Sequence, residues 1–185
     1  MTDLTARMLI RDGLPGDIAS CLALDHTFET DRVWQMQVNE DAAAWEILFR
    51  LERLPRPVTV AHPGAEKRLI HAVKHDGLFL IAHERGTREP FGYLAMLPEP
   101  GEGFAHIGDL IVQSAYRREH IATRLLNVAR RWAKERGLLR VHTAIGTKNH
   151  PAALFLEKAG FRRCGFDDRY FQNGDIALLY SCSLR

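Results

Sequence analysis

Apolar residues recur with two periods along this chain. Between positions 78 and 112 they form short runs separated by turn residues: 78–82, polar 84–90, 91–97, the Pro/Gly-rich 98–103, then Phe104–Val112. Runs of that length bounded by Gly and Pro predict three consecutive strands. From 120 to 136 the period changes. Ile121, Leu125, Val128 and Trp132 fall at i, i+4, i+7 and i+11, which predicts a helix, and Gly137 supplies its stop. A strand over 138–145, a short helix over 151–159 ended by Gly160, and two closing strands over 161–166 and 176–182 complete the C-terminal half.

The N-terminal half reads less cleanly. A strand over 7–11 precedes the turn Asp12-Gly-Leu-Pro-Gly16, and Asp17 reads as a helix start because a short carboxylate caps free N–H groups. Ile18, Cys21, Leu22 and Leu24 give that helix its apolar face. Trp34, Met36 and Val38 then alternate with Gln35, Gln37 and Asn39, the period of a half-buried strand. Residues 39–42 form a turn, and 45–51 either return as a second strand or form a helix. The hairpin is the preferred reading, with Pro55 and Pro57 bounding it. A helix over 65–74 follows.

A strand, a helix and a strand in succession imply that Phe104–Val112 and 138–145 run parallel within an otherwise antiparallel sheet. The fold class is therefore α+β, and a doubly wound sheet is excluded. The 185 residues suit a single domain, 1–185. A net charge of +2 gives no general reason to expect nucleic acid or a membrane as partner. The first residues lack the apolar core of a signal peptide, and no apolar run spans a bilayer. Cys21, Cys164 and Cys182 show no C-x-x-C spacing. They predict buried thiols in a reducing cytoplasm, with no metal site.

The stretch richest in chemistry is Leu110-Ile-Val-Gln-Ser-Ala-Tyr-Arg-Arg-Glu-His-Ile-Ala-Thr-Arg-Leu-Leu126. A strand ends, a loop turns and an amphipathic helix begins. The first N–H groups of a helix lack internal partners and carry partial positive charge, which suits a pyrophosphate. Arg117, Arg118 and Arg124 can add charge-assisted contacts. A solvated basic face that also takes in Arg130 and Arg131 is the plainer alternative.

With Arg117, Ile121, Ala122, Leu125 and Leu126, this stretch resembles the acetyl-CoA loop of the GNAT acetyltransferases, Arg/Gln-x-x-Gly-x-Gly/Ala followed by paired Leu. His120 departs from it, standing where the family has its first Gly. Downstream, Asn149-His-Pro-Ala-Ala-Leu-Phe-Leu-Glu-Lys-Ala-Gly-Phe161 resembles the family's N-x-x-A-x-x-F-Y-E-K-x-G-F segment. The two motifs come in the right order with a strand between them, and together cover about 78–161. The resemblance implies a GNAT-like α/β/α fold whose mixed, mostly antiparallel central sheet splays between the two parallel strands. It also implies acetyl-CoA as acyl-donor cosubstrate. Leu110, Ile111, Val112, Arg117, Arg118, Glu119, His120, Ile121, Ala122 and Thr123 would hold its phosphates and thioester end. Asn149, Ala152 and Phe155 would line the pantetheine, although Asn149 also reads as a simple helix cap.

The resemblance further implies direct attack of an acceptor amine on the thioester in a ternary complex, with an amide near Ile111 or Val112 polarising the carbonyl. The family's usual thiolate acid is a Tyr where this chain has Leu156. Tyr170 is the replacement preferred here, with Tyr180, water or no acid as alternatives. Two residues compete as base. His106 lies six positions before Val112, where the histone-acetylating branch has its carboxylate, and Asp109 lies nearer the cofactor. Alternation along a strand puts His106 and Asp109 on opposite faces.

Family acceptors contact segments that correspond here to 28–34 and 167–175. Glu29, Asp31, Asp167, Asp168 and Asp175 can attract a cationic amine, or serve as ordinary loop acids. The C-terminal pattern is loosely similar to the streptothricin acetyltransferase branch. The expected function is acetyl transfer to a primary amine of a small molecule or peptide, in the cytoplasm, with a homodimer left open. A non-catalytic acyl-CoA-binding regulatory module is the alternative. A nucleic-acid-binding module is a third reading, and the near-neutral charge opposes it.

Overall fold

Short apolar runs become strands and the 3.6-residue repeats become helices, with boundaries close to those expected outside the long strands at 27–40 and 45–61. The structure is a computed structural model and describes residues 7–62 and 66–185. In chain order the elements are β1 (Met8–Asp12), α1 (Ile18–Leu22), β2 (Thr27–Glu40), β3 (Trp45–Ala61), α2 (Glu66–Lys74), β4 (Leu78–Glu84) and β5 (Pro90–Glu99). They continue with β6 (Phe104–Val112), α3 (Ile121–Glu135), β7 (Arg140–Gly146), α4 (His150–Lys158), β8 (Arg162–Asp167) and β9 (Ala177–Ser183). The expected start of α2 at residue 65 lies outside the described residues.

The chain forms two compact units. The first comprises the described residues of Met1–His26, Pro63–Thr143 and Ser181–Arg185, and the second comprises Thr27–His62 and Ala144–Tyr180.

In the first unit the strand order is β1-β4-β5-β6-β7. Neighbours are antiparallel except β6 and β7, which pair in parallel from Phe104↔Arg140 to Ile107↔Thr143. The mixed α+β sheet is the one the sequence implied. Pleating sends alternate residues to opposite faces. Phe79, Ile81, Tyr93 and Ala95 share one face, where they pack with Cys21 of α1 and with Leu69 and Ala72 of α2. α3 packs on the other face, since a Cβ on Gly92 would point at Cγ2 of Ile121. Its buried stripe is Ile121, Leu125, Leu126, Ala129 and Ala133. The expected Val128 and Trp132 are only half-buried, and Arg136 lies over the Trp132 ring. Small Ala residues occupy the line of closest approach, where size matters more than hydropathy.

One irregularity in β6 bears directly on the site. Ala95 pairs with Asp109 but Met96 pairs with Ile107, so Gly108 is an extra residue. Such a bulge inverts the facing of everything beyond it. His106 lies opposite Leu97 and Asp109 opposite Ala95, two residues apart on β5, so they share the α2 face. The expectation that these two side chains point to opposite faces is overturned by that one inserted residue.

In the second unit β2 and β3 form a long hairpin, the stronger of the two readings for 45–51, and Asp41 closes its turn by accepting from Ala43 N and Ala44 N. Pro55 and Pro57 do not bound it. Strand β3 runs on to Ala61, with 54–57 bulging opposite Asp31 between the pairs Arg32↔Arg53 and Thr30↔Val58. Proline has no N–H to donate, and a bulge asks for none. A two-stranded ribbon needs a covering layer. Here Phe166 of β8 meets Phe49 edge-on, Arg163 stacks on Trp34, and Trp34 N donates to the Thr147 carbonyl. β9 lies between β7 and β8.

Two further expectations change. Asp17 precedes α1 as expected, but its carboxylate does not cap that helix; it takes a bidentate contact from Arg11 and the N–H of Leu14. Cys21 is buried, and burial pushes its thiol up to about 12, whereas Cys164 is exposed and Cys182 half-buried. None of the three forms a disulfide. Among the described residues no helix is long and apolar enough to cross a membrane.

The turn after α2 is sterically tight. A Cβ at Gly77 would lie 2.7 Å from the Ala72 carbonyl oxygen and 2.8 Å from its Cα, both backbone atoms that cannot rotate away. Gly77→Ala is expected to destabilise the chain by about 1–3 kcal/mol. Urea and thermal unfolding of the two proteins would read this directly, and equal midpoints would contradict the close approach.

Candidate functional site

The loop between β6 and α3 is built from a 3-10 turn at Ser114–Tyr116 followed by two left-handed residues, Arg118 (φ 73°) and His120 (φ 57°). Side chains other than Gly reach this region at a cost, although His tolerates it better than most. His120 is the N-cap of α3 and makes no side-chain cap hydrogen bond. The first-turn amides of a 15-residue helix are thus not taken up by their own cap. That donor set fits a pyrophosphate.

Arg117, expected to contact phosphate, also makes contacts within the protein. Its Nε donates to the Val112 carbonyl at 3.1 Å, and its Nη2 reaches the Asp25 carbonyl at 3.4 Å and the Asp25 carboxylate at 3.8 Å. Asp25 N in turn donates to Gln113 Oε1 at 2.7 Å. These contacts fasten both ends of the loop to the segment after α1. Arg118, Glu119, His120 and Thr123 are exposed, Ala122 is half-buried and Ile121 is buried. Leu110, Ile111 and Val112 are half-buried at the end of β6.

On the α2 face of β6, Asp109 is 2% exposed. It receives Arg68 Nε and Nη2 at 2.7 Å each, a bidentate pair. Charge pairs in this geometry are strong and directional. A carboxylate so engaged is a poor proton acceptor, which counts against Asp109 as a base. His106, half-buried on the same face, has its titration pushed below the ordinary imidazole range. Burial is the main cause; His142 and Arg68 push the same way, and Asp109 opposes them. His142 stands directly across the parallel pair from His106. Its ring stacks on Phe104 at 4.3 Å between centroids, and burial lowers its titration too, with Arg140 adding to the shift. Tyr93, facing Asp109 from β5, is buried with a hydroxyl that makes no hydrogen bond among the described residues. Burial raises its titration further, so it stays protonated.

Sequence reading named His106 and Asp109 but not Arg68 or His142. A lone Asp in an apolar strand is almost never buried without a partner. That was a signal to look for a cation on the facing helix. His142 lay in plain alternation along its strand and gave no signal until register placed it beside His106.

In the second unit Asn149 is the N-cap of α4, its Oδ1 accepting from Ala152 N at 3.2 Å, so the cap reading of this residue holds. Ala152 and Phe155 are half-buried on the same helix, while Leu156 is buried. Tyr170 is 43% exposed and packs edge-on against Phe171. Tyr180 is fully buried; its hydroxyl accepts from Arg163 Nε at 3.0 Å and lies 3.4 Å from Glu157. Of the acidic residues considered for substrate attraction, Asp31 contacts Arg32 and Arg53, Asp167 accepts from Arg169 N, and Asp175 contacts Lys148 and Asn173. Among the described residues no cluster of three or more His, Cys, Asp or Glu could hold a metal.

The family model of the acetyltransferase (GNAT) family matches residues 45–161. No curated protein matches the chain significantly. Among solved structures, nourseothricin acetyltransferase superposes with a TM-score of 0.81 at 22% identity, over 97% of this chain and 99% of that one. A putative streptothricin acetyltransferase from Bacillus anthracis str. Ames, in complex with acetyl coenzyme A, gives 0.75 at 20% identity, over 95% and 99%. The ribosomal-protein-S18-alanine N-acetyltransferase from Escherichia coli gives 0.65 at 13%, over 96% and 94%. These likenesses show a shared fold.

The left-handed His120 yields a measurable expectation. His120→Gly removes a strained Cβ but adds backbone freedom to the unfolded chain. The net gain is expected to be about 0.5–1 kcal/mol, or a few degrees in Tm by scanning calorimetry. A lower Tm would mean that the imidazole makes a stabilising contact that outweighs the strain.

Proposed function

This chain belongs to the acetyltransferase (GNAT) family and is an acetyl-CoA-dependent acetyltransferase, and we propose that its acceptor is a primary amine on a small polyamine-like molecule of the streptothricin class. The observation that carries this reading is the near full-length fold match to nourseothricin and streptothricin acetyltransferases. A peptide N-terminus is the competing acceptor, supported by the weaker match to the S18-alanine enzyme. Glu29 and Asp168 are the acidic residues best suited to draw a cationic acceptor, since the other three acids serve local contacts.

The proposed cofactor site is the β6–α3 loop. Amides of 118–123 at the start of α3 take the pyrophosphate, Arg118 and Arg124 add positive charge, and Arg117 braces the loop against Val112 and Asp25. The end of β6, Leu110 to Val112, supplies backbone groups for the pantetheine and thioester. In the second unit, the capped start of α4 carries Asn149, Ala152 and Phe155, the residues that the family's motif assigns to pantetheine.

His106 is the proposed base. It takes the proton that the acceptor ammonium must lose before its nitrogen attacks the acetyl carbon, and its depressed titration keeps it neutral at physiological pH. Asp109 orients this face through Arg68 instead of accepting the proton. As the C–S bond breaks, the leaving thiolate takes a proton from water; a thiol of ordinary pKa makes a specific acid dispensable. We place both units in one catalytic domain, since β7 and β9 contribute residues to each, and the enzyme in the cytoplasm, where acetyl-CoA is available.

Calorimetric titration with acetyl-CoA, followed by thiol release against a panel of amines, tests this. We expect saturable binding, weakened about tenfold by Arg117→Ala through loss of loop bracing. Turnover with nourseothricin should exceed that with N-terminal peptides by at least about 100-fold in kcat/KM. His106→Gln should lower kcat/KM by roughly 100-fold, in the range of general-base loss. Absence of acetyl-CoA binding would remove the site assignment, and faster acetylation of peptides would remove the acceptor assignment.

A further inference from the structure

The parallel pair β6/β7 sets two imidazoles side by side. His106 and His142 are register partners, and neighbouring strands lie only about 4.8 Å apart. The pair extends only four positions, and both histidines sit one step before its end at Ile107↔Thr143, where the Thr143 hydroxyl donates to the Ile107 carbonyl at 3.1 Å. His142 is held flat against Phe104 with an interplanar angle of 10°, and its Nε2 is buried without a hydrogen bond among the described residues. The charged and titratable groups acting on His106 include His142 from β7, Asp109 from its own strand, and Arg68 from α2. From β5 its register partner is apolar Leu97, with Tyr93 further along. Arg140 adds positive charge near His142. Of the charged groups acting on His106, His142 weighs more than Arg68 or Asp109.

We propose that His142 is a positioning residue for the base: the two imidazoles hold one proton between them, His142 takes it, and His106 is thereby kept free to accept the proton of the acceptor ammonium. The inference rests on the reading of His106 as base. Two cationic imidazoles on register-paired residues, partly withdrawn from water, repel. The pair therefore titrates in two separated steps that belong to it jointly. His142, on which Arg140 adds to the effect of burial, gains its proton first as pH falls. His106, flanked by Arg68 and by the newly charged His142, gains its proton last. Lowering pH into the mildly acid range then charges the partner and spares the base.

Imidazole NMR titration of the wild-type protein, with assignments from single His→Gln variants, tests the coupling without any substrate. The expected result is that His142 titrates at higher pH and that the His106 resonance follows a biphasic curve. In His142→Gln, which keeps a polar side chain but cannot hold a charge, His106 should titrate about half to one pH unit higher. The acid limb of kcat/KM against pH should move up by the same amount, with KM for acetyl-CoA unchanged. Independent single-step curves in the wild type, or a His106 titration unmoved in His142→Gln, would overturn the proposal. If the His106 titration moves while the acid limb stays in place, the imidazoles are coupled but His106 is not the base. That outcome overturns the catalytic part of the proposal together with the reading beneath it. Should His142→Gln fail to fold, the wild-type curves alone decide.

Discussion

The first unit depends on where the parallel pairing of β6 and β7 stops. Four register pairs join them, and the Thr143 hydroxyl satisfies the Ile107 carbonyl at the end of that ladder. Buried backbone carbonyls rarely go without a partner, so a strand that leaves its neighbour must find one. Strand β6 nonetheless continues to Val112, held by β5 through the pair Gly92↔Val112. The bulge at Gly108 falls immediately after the last parallel pair. Together these features let β6 change the facing of its side chains without losing its antiparallel partner. Asp109 then points at α2, where Arg68 neutralises it. A longer parallel ladder would have fixed β6 from both sides and left little room for an extra residue.

The loop that follows shows the same economy of backbone donors. A helix N-terminus is useful for anion binding only if its own residues do not cap it. Ser, Thr, Asp or Asn at the cap would compete for the amides a phosphate needs. This chain has His120 there, in left-handed geometry and without a cap bond. The family's Gly reaches that geometry without strain, whereas His bears a Cβ through it. Arg117 offsets the strain by tying the loop to Val112 and Asp25, so it acts as a brace as much as a charge.

The sequence carried the fold further than it carried the site. Period alone gave the strand meander, α3 and the order of the C-terminal elements, because burial on one face forces alternation or a 3.6-residue repeat. It failed where backbone geometry departs from the regular. Pro55 and Pro57 were read as strand ends because proline lacks an N–H, yet a bulge accommodates both within one strand. The facing of Asp109 relative to His106 was inverted for the same reason, since an inserted residue leaves no mark in hydropathy. Arg68 meets Asp109 and His142 meets His106 across elements, a neighbourhood that no local window contains. The β6–α3 loop was legible because its residues are consecutive, and the face that gathers Arg68, His106, Asp109 and His142 was not because its members come from α2, β6 and β7.

The position of Leu156 follows from packing on α4. Ala153 and Leu156 are buried and lie three residues apart, so they share the inward face of the helix. A tyrosine hydroxyl buried there would need a hydrogen-bond partner or carry a desolvation penalty of about 1–3 kcal/mol. Leucine carries none. The polar contacts of this unit gather instead around Arg163, whose Nε donates to the Tyr180 hydroxyl, whose Nη2 pairs with Glu157 and whose plane covers Trp34 of the hairpin. Arginine suits that position because its planar fork can donate along its edge while its face stacks on an aromatic ring. Tyr180 is thereby committed to holding the hairpin in place. Its hydroxyl is oriented by a cation and enclosed by β8 and α4 residues, an arrangement suited to rigidity and poorly suited to releasing a proton.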